Sequence, residues 1–250
     1  MAIAVFSDIH GNLEALEAIL ADIKKRRIKE IFFLGDAITF GPDSSACLKL
    51  LQKYNARCVI GNHEQRIIRY DKSISEMSNA GIKHMEYIYN GLDNDDLRFI
   101  KSMPLSIDFD YKNYKLFFAH YAFDEKGVVL EDYDNFREDL LDRYFEKSDS
   151  DVVFYGHLHE RKLFIRQIGR SYFNLGSSGC VPSDKTFYTY FDIGEMMNEN
   201  NFDIYRIDVK WNRKKFVQKM QDAPIPEKAK FAKRYFNIEL LDEHVEDEAE

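Results

Sequence analysis

The chain is poor in the residues that make covalent or membrane anchors. Its 250 residues include 3 cysteines, Cys47, Cys58 and Cys180, an odd number, widely spaced and without a Cys-x-x-Cys pair. That pattern argues against a disulfide framework and a thiolate metal site; the thiols read as reduced cytosolic groups, with Cys58 in the core. No apolar run approaches the ~20 residues needed to span a bilayer, so no membrane partner is expected. The first residues, Met1-Ala2-Ile3-Ala4-Val5-Phe6-Ser7-Asp8, lack a basic segment and are not expected to be a cleaved signal. A cytoplasmic location is the expectation. Positive charge is also short, with 35 Lys and Arg against 43 Asp and Glu and a net charge of −8. Duplex nucleic acid is therefore not an expected partner, since binding its phosphate backbone demands a basic face. Internal repeats and low-complexity linkers are missing too. One compact domain over residues 1–250 is expected, with a helical excursion around 64–103 and an acidic tail around 240–250. The oligomeric state is left open.

Histidine is present where it counts. Of 7 histidines, five fall in short motifs, each after an apolar run. These are Ser7-Asp8-Ile9-His10-Gly11-Asn12, Gly61-Asn62-His63-Glu64, His120 after Leu116-Phe117-Phe118-Ala119, and Gly156-His157-Leu158-His159. Gly35-Asp36 follows another such run. Ile3–Phe6, Ile31–Leu34 and Arg57–Ile60 read as strands, separated by helices Leu13–Lys25 and Ser44–Leu51. Asn12 is a plausible cap for the first helix. This βαβαβ order predicts a parallel sheet. Glu64 to Met103 reads as helical, with helices over Ile82–Tyr89 and Asp95–Ile100. Leu105–Asp108 and Lys115–Phe118 resume strand character, and Asp132–Phe145 reads as a helix. Four short strands follow, Lys162–Gln167, Ser171–Leu175, Thr186–Asp192 and Phe202–Val209, expected to pair antiparallel into a second sheet. Trp211–Met220 is a late helix. His84 and His244 read as solvated surface groups.

Side chains at strand ends share one edge of a sheet, where ligands gather. Asp8 and His10 stand two apart, as do His157 and His159, which on an extended strand places each pair on one face. With Asp36, Asn62 and His120 they make seven candidate ligands: two carboxylates, four imidazoles and one carboxamide. Such mixed oxygen and nitrogen ligation suits Mn²⁺, Fe or Zn²⁺ better than Mg²⁺ or Ca²⁺. Seven donors exceed one tetrahedral site and fit two ions sharing the Asp36 carboxylate. Singly, Asp8, Asp36 and Asn62 could be turn or cap residues; the ordered series is what carries the reading.

The series Asp-x-His, Gly-Asp, Gly-Asn-His-Glu, His, Gly-His-x-His resembles that of the calcineurin-like metallophosphoesterase superfamily. Ser7 to Leu16, Gly35 to Pro42 and Asn174-Leu175-Gly176-Ser177-Ser178-Gly179 resemble its small bacterial and archaeal branch, grouped with YfcE-like phosphodiesterases and diadenosine tetraphosphate hydrolases. The resemblance spans roughly residues 3 to 192. It implies an α/β fold, a four-layer α/β/β/α sandwich of two mixed β-sheets. It also implies one ion on Asp8, His10, Asp36 and His159, and a second on Asp36, Asn62, His120 and His157. His63 is then the catalytic residue, a proton donor to the leaving group or a charge stabiliser, while a hydroxide bridging the ions attacks phosphorus.

Departures from the superfamily narrow the substrate. Phe40 stands where protein phosphatases and symmetrically cleaving hydrolases carry a phosphate-gripping arginine. Thr39 replaces an acid that supports the equivalent of His63, and Ile60 replaces a second arginine. The apolar mouth that results suits a nucleoside or aryl group. Asn12, Phe40 and Tyr121 are the candidate substrate-binding residues. Phe40 is either core or a stacking platform, and Tyr121 either stacks on a base or wedges against the next loop. Asp124–Asp134 is either a loop over the site or an ordinary surface connection. A phosphodiesterase or dinucleoside polyphosphate hydrolase is the expected activity, diadenosine tetraphosphate cleaved asymmetrically being the leading substrate. The alternatives are a phosphoprotein phosphatase and a non-catalytic scaffold, the role a retromer subunit gives this fold.

Overall fold

The computed structural model describes residues 2–70, 78–124, 126–127, 136–164, 169–193 and 202–240. In chain order the first half runs β1 (Ile3–Phe6), α1 (Leu13–Lys25), β2 (Glu30–Phe33), α2 (Ser44–Lys53), β3 (Arg57–Cys58), α3 (Asn62–Ile68), α4 (Asn79–Asn90) and α5 (Asn94–Ser102). There follow β4 (Ser106–Tyr111), β5 (Tyr114–Ala119), a 3₁₀ turn (Glu138–Leu140), α6 (Leu141–Tyr144), β6 (Val152–Tyr155), β7 (Lys162–Phe164) and β8 (Ser171–Asn174). The described chain closes with β9 (Lys185–Asp192), β10 (Asp203–Lys210), α7 (Arg213–Asp222) and α8 (Lys228–Phe236).

Strand β1 shows why the layers form. All of its residues are buried, and alternation sends Ile3 and Val5 to one face and Ala4 and Phe6 to the other. Ala4 and Phe6 meet α1, whose Leu16, Ile19, Leu20 and Ile23 recur at helical spacing. Asn12 caps that helix, its Oδ1 accepting from the Ala15 N–H at 3.0 Å. Ile3 and Val5 face the second sheet across a core that includes Phe32, Phe118, Phe154 and Phe173. Phe32 lies flat on Phe118, with centroids 4.0 Å apart and planes 9° apart. On the far side of the second sheet Val153 and Tyr155 pack on Leu141, Tyr144 and Phe145. The result is the expected α/β/β/α sandwich.

The first sheet has the order β10-β9-β1-β2-β3, with β1, β2 and β3 parallel as predicted. The second has the order β4-β5-β6-β8-β7. Here the sequence reading needs correction, because the four late strands do not make one antiparallel sheet. β7 and β8 join the second sheet, where β8 runs parallel to β6, whereas β9 and β10 return to the first. The reason is the free edge of β1: β2 covers only one side, and β9 supplies the other row of backbone partners. The helix expected over Asp132–Phe145 is shorter, a 3₁₀ turn and α6 from Glu138 on, and residues 128–135 lie outside the described ones. His84 is not a surface group. It is buried on α4 with its ring centroid 4.4 Å from that of Phe231, and burial pushes its pKa down to about 4. His244 and the acidic tail from 241 onward lie outside the described residues.

Helices α7 and α8 pack against α1. Phe216, Met220, Ala232 and Phe236 form a separate apolar cluster with Ala15 and Phe40. Lys219 of α7 links the buried Glu14 at 2.8 Å and Asp43 at 2.7 Å. Arg213 donates to the Phe236 and Asn237 carbonyls, closing the end of α8. Among the described residues no helix is long and apolar enough to cross a membrane.

The inter-sheet layer is predicted to carry much of the stability. Phe32→Ala should lower the unfolding free energy by about 3–5 kcal/mol in urea titrations, and a loss under about 1 kcal/mol would contradict this packing account.

Candidate metal centre

The proposed ligands sit beyond the strand ends rather than on the strands themselves, Asn62 opening α3 and the others lying in the connecting loops. β1 ends at Phe6, and Asp8 and His10 both take left-handed backbone conformations, φ 56° and 49°. β6 ends at Tyr155, and His157 and His159 do the same, φ 69° and 55°. Asp36 follows with φ 60°. The two-residue spacing therefore does not act through strand alternation, as the sequence reading supposed. It acts through tight left-handed turns, which Asp and His enter more readily than most residues but still at a cost.

Glycines make these turns possible by close approach. A Cβ on Gly61 would fall 2.2 Å from Asp36 Oδ1, and one on Gly156 would fall 2.1 Å from Ser7 Oγ and 2.7 Å from Asp8 Oδ2. Side chains then fasten the loops together. Asn174 donates from Nδ2 to the Gly156 carbonyl at 2.8 Å, and Ser177 donates to the Asp8 carbonyl at 2.7 Å. Glu64 does most. Its Oε2 accepts from the N–H groups of Asp36 at 2.8 Å and Gly61 at 3.0 Å, and its Oε1 from those of Ala37 at 2.8 Å and Ile38 at 3.3 Å. Full burial, reinforced by the charge of Asp36, pushes the Glu64 carboxyl up to about 7.

The donor atoms gather into two groups that meet at one oxygen. His120 Nε2 lies 3.1 Å from Asp36 Oδ2 and 3.1 Å from Asn62 Oδ1, and His157 Nδ1 lies 2.8 Å from the same Asn62 oxygen. On the other side, His10 Nε2 is 3.9 Å from Asp36 Oδ2, 3.8 Å from Asp8 Oδ1 and 3.0 Å from His159 Nε2. His159 Nε2 is 3.3 Å from Asp8 Oδ1. The far ring nitrogens fix the tautomers. His10 Nδ1 faces the Ile38 carbonyl at 3.2 Å and His120 Nδ1 the Leu34 carbonyl at 2.5 Å, so both must donate there and keep Nε2 for the centre. Asp36 Oδ1 is occupied by the His63 N–H at 3.0 Å, which leaves Oδ2 pointing between the groups.

The charges fit a cation pair. Asp8 is fully buried, and its Oδ1 faces the imidazoles of His159 and His10 within 4 Å. Burial alone would raise both Asp8 and Asp36, yet neighbouring histidines hold both carboxyls below their ordinary range. Burial likewise opposes charge on His120 and His159, but Asp36 lifts His120 to about 9 and Asp8 lifts His159 to about 11. Burial pushes His10 down to about 4 and His157 to about 3. Two buried carboxylates thus demand positive charge in a dry site, and metal ions could supply it. Two of the three donor clusters within 4.8 Å contain Asp36: His10, Asp36 and His63, and Asp36, His120 and His157.

A family model described as the calcineurin-like phosphoesterase superfamily domain matches residues 1–196. The chain belongs to that superfamily. An uncharacterised protein of Methanocaldococcus jannaschii is 32% identical over 242 residues, covering 90% of this chain and 94% of its own. A metallophosphoesterase from Sphaerobacter thermophilus superposes with a TM-score of 0.69 at 22% identity, covering 93% of this chain and 99% of its own. A hypothetical protein from Pyrococcus horikoshii superposes at 0.71 with 16% identity, covering 95% and 99%. Membership implies divalent metal ions, and the donor set above fits them.

The three candidate substrate-binding residues are all buried, which for Phe40 and Tyr121 matches one of the two readings left open above. Asn12 is fully buried with both amide ends engaged, Oδ1 on α1 and Nδ2 on the Gly179 carbonyl at 2.8 Å, so it cannot face a substrate. Tyr121 is 4% exposed and donates to Gln65 Oε1 at 2.7 Å, which makes it a wedge beside His120 and His157 and not a stacking surface. Phe40 is buried beneath Tyr235 of α8, with centroids 3.9 Å apart and planes 12° apart. Residues 125 and 128–134 of the Asp124–Asp134 segment lie outside the described ones.

The Thr39 hydroxyl lies 2.8 Å from His63 Nδ1. Two features escaped the sequence reading. Glu64 was part of a quoted motif, but its clamp on the Asp36 turn needs the fold to be seen. Cys180, without a partner cysteine in sequence, lies with His10 and His159 in a third cluster of donors within 4.8 Å.

Glu64→Ala would strand four N–H groups. It should lower stability by about 3 kcal/mol or more and reduce bound metal, read by denaturation and elemental analysis; unchanged metal content would refute the clamp.

Proposed function

We propose that the chain is a two-metal phosphoesterase that hydrolyses phosphodiester or phosphoanhydride bonds. The observation that carries this is the Asp36 Oδ2 atom, which faces the His120 group at 3.1 Å and the His10 group at 3.9 Å. One ion would be held by Asp8, His10, Asp36 and His159, the other by Asp36, Asn62, His120 and His157. Manganese or iron suits this set first, with zinc next. Bound there, the cations would activate water as the nucleophile and neutralise charge on the phosphate.

His63 is the residue assigned to the leaving group. Its side chain is 12% exposed at the edge of an otherwise dry centre. The Thr39 hydroxyl can donate to Nδ1, which leaves the proton on Nε2, 3.9 Å from Asp36 Oδ2 and facing the site. From there it donates to the phosphate or to the departing oxygen.

Substrate choice follows from what surrounds these groups. The position of the phosphate-gripping arginine is held by Phe40, which argues against phosphoserine proteins and against symmetric cleavage. Dinucleoside polyphosphates are the leading substrates, diadenosine tetraphosphate giving a mono- and a triphosphate, with aryl phosphodiesters turned over in vitro. The complete ligand set argues against a scaffold that has lost its metals. A cytoplasmic, metal-loaded enzyme acting on small nucleotides is the resulting picture.

A metal-reconstituted panel of dinucleoside polyphosphates, cyclic nucleotides, aryl diesters and phosphopeptides tests it, with products separated by chromatography. Diesters or dinucleotides should lead, chelation should abolish turnover, and phosphopeptides leading would overturn the reading. Asp36→Asn should abolish turnover and weaken both ions. His63→Ala should keep both ions yet slow turnover by roughly 10²–10⁴; loss of an ion in that variant would reverse the assignment.

A further inference from the structure

Beyond the family match, the described residues 202–240 reach the proposed metal centre. Helix α8 carries Phe231 and Tyr235 at i and i+4, so both leave the same face. Phe231 lies 5.1 Å from Phe40 and 4.4 Å from the buried His84, centroid to centroid. Tyr235 covers Phe40, and its centroid stands 5.9 Å from that of His159 and 6.5 Å from that of His10. The adjacent positions Ala232 and Phe236 are buried in the C-terminal apolar cluster, against which Phe231 and Tyr235 also pack. Tyr235 is therefore held in place by the helix's own packing and by Phe40.

Three aromatic rings border the centre, and their burial separates their roles. Phe40 is hidden under Tyr235, and Tyr121 is buried with its hydroxyl engaged. Tyr235 is the half-buried one of the three, and it stands beside His10 and His159. The exposed Arg234 guanidinium lies over the Tyr235 ring, 5.4 Å from its centroid, and adds positive charge at that border. A phosphate lodged among the donors would extend its ester substituent past this wall. Planar groups with a π face gain most from such a surface.

We infer that Tyr235 is a specificity-determining residue of this centre, the surface on which a nucleoside retained on the phosphate, and not the departing group, lies. The inference rests on the phosphoesterase reading above and refines it: the stacking role passes from Phe40 to a residue outside the family domain.

The test compares wild type with Tyr235→Phe, Tyr235→Leu and Tyr235→Ala, all loaded with Mn²⁺. The substrates are the p-nitrophenyl ester of thymidylate and methyl p-nitrophenyl phosphate, which share a leaving group and differ in the remaining substituent. Tyr235→Phe should match wild type. Tyr235→Leu keeps apolar cover on Phe40, and with Tyr235→Ala it should lose about 5- to 150-fold in kcat/KM on the thymidylate ester, through KM, the ordinary worth of one base stack. The methyl ester should stay within about 3-fold. Equal losses on both substrates, or no loss on either, would overturn the inference. A binding arm separates it from the hydrolytic reading. By calorimetry, wild type should bind AMP more tightly than inorganic phosphate, and Tyr235→Leu should close that gap. If wild type hydrolyses no diester yet shows the gap, hydrolysis fails and the Tyr235 assignment stands; if wild type shows no gap, the assignment fails.

Discussion

The centre depends on one carboxylate, Asp36, being fixed with one oxygen bonded away and the other free between two sets of ligands. Its Oδ1 is tied to the His63 N–H, its backbone N–H is tied to Glu64, and Oδ2 is left to face His120 and His10. Desolvation makes that free oxygen demanding. A buried carboxylate must find positive charge, and here it is ringed by imidazoles whose far nitrogens are already committed to backbone carbonyls. Turn geometry, burial and electrostatics all converge on the same atom.

Holding it there requires an unfavourable backbone. Asp8, His10, Asp36, His157 and His159 all lie in left-handed conformations, each costing on the order of 1–3 kcal/mol. The surrounding structure opposes relaxation. The buried faces of β1, β2 and β6 fix where each turn starts, and Gly61 and Gly156 let neighbouring loops approach closer than any side chain would allow. Glu64, Asn174 and Ser177 bind the turns to one another. The sandwich acts as a frame, and its strand ends are the points at which strain is stored for binding.

The frame and the residues that gather at the centre were legible in sequence because both rest on local pattern. Runs such as Ile3–Phe6 and Val152–Tyr155 are strands in any context that buries them, and the motif residues that follow are polar where a core would not tolerate them. What was not legible depended on distant partners. The return of β9 to β1 answers an unpaired edge that no local pattern announces. His84 looked like a surface group until α8 covered it, and Asn12 looked available until Gly179 took its amide. The spacing of Asp8 and His10 was informative for a reason other than the expected one, since their backbone is coiled and not extended. The C-terminal helices carry no motif at all, so their approach to the site is visible only in three dimensions.

That approach changes how the apolar mouth is understood. The wall beside His10 and His159 is made by residues from both ends of the chain, Phe40 below and Tyr235 above, and the family domain alone would leave it open. The metals remain the central claim, and anomalous diffraction at the manganese edge from crystals soaked in Mn²⁺ tests it most directly. Two peaks are predicted, one among Asp8, His10 and His159 and one among Asn62, His120 and His157, with Asp36 between them. A single peak, or none near Asp36, would contradict the account.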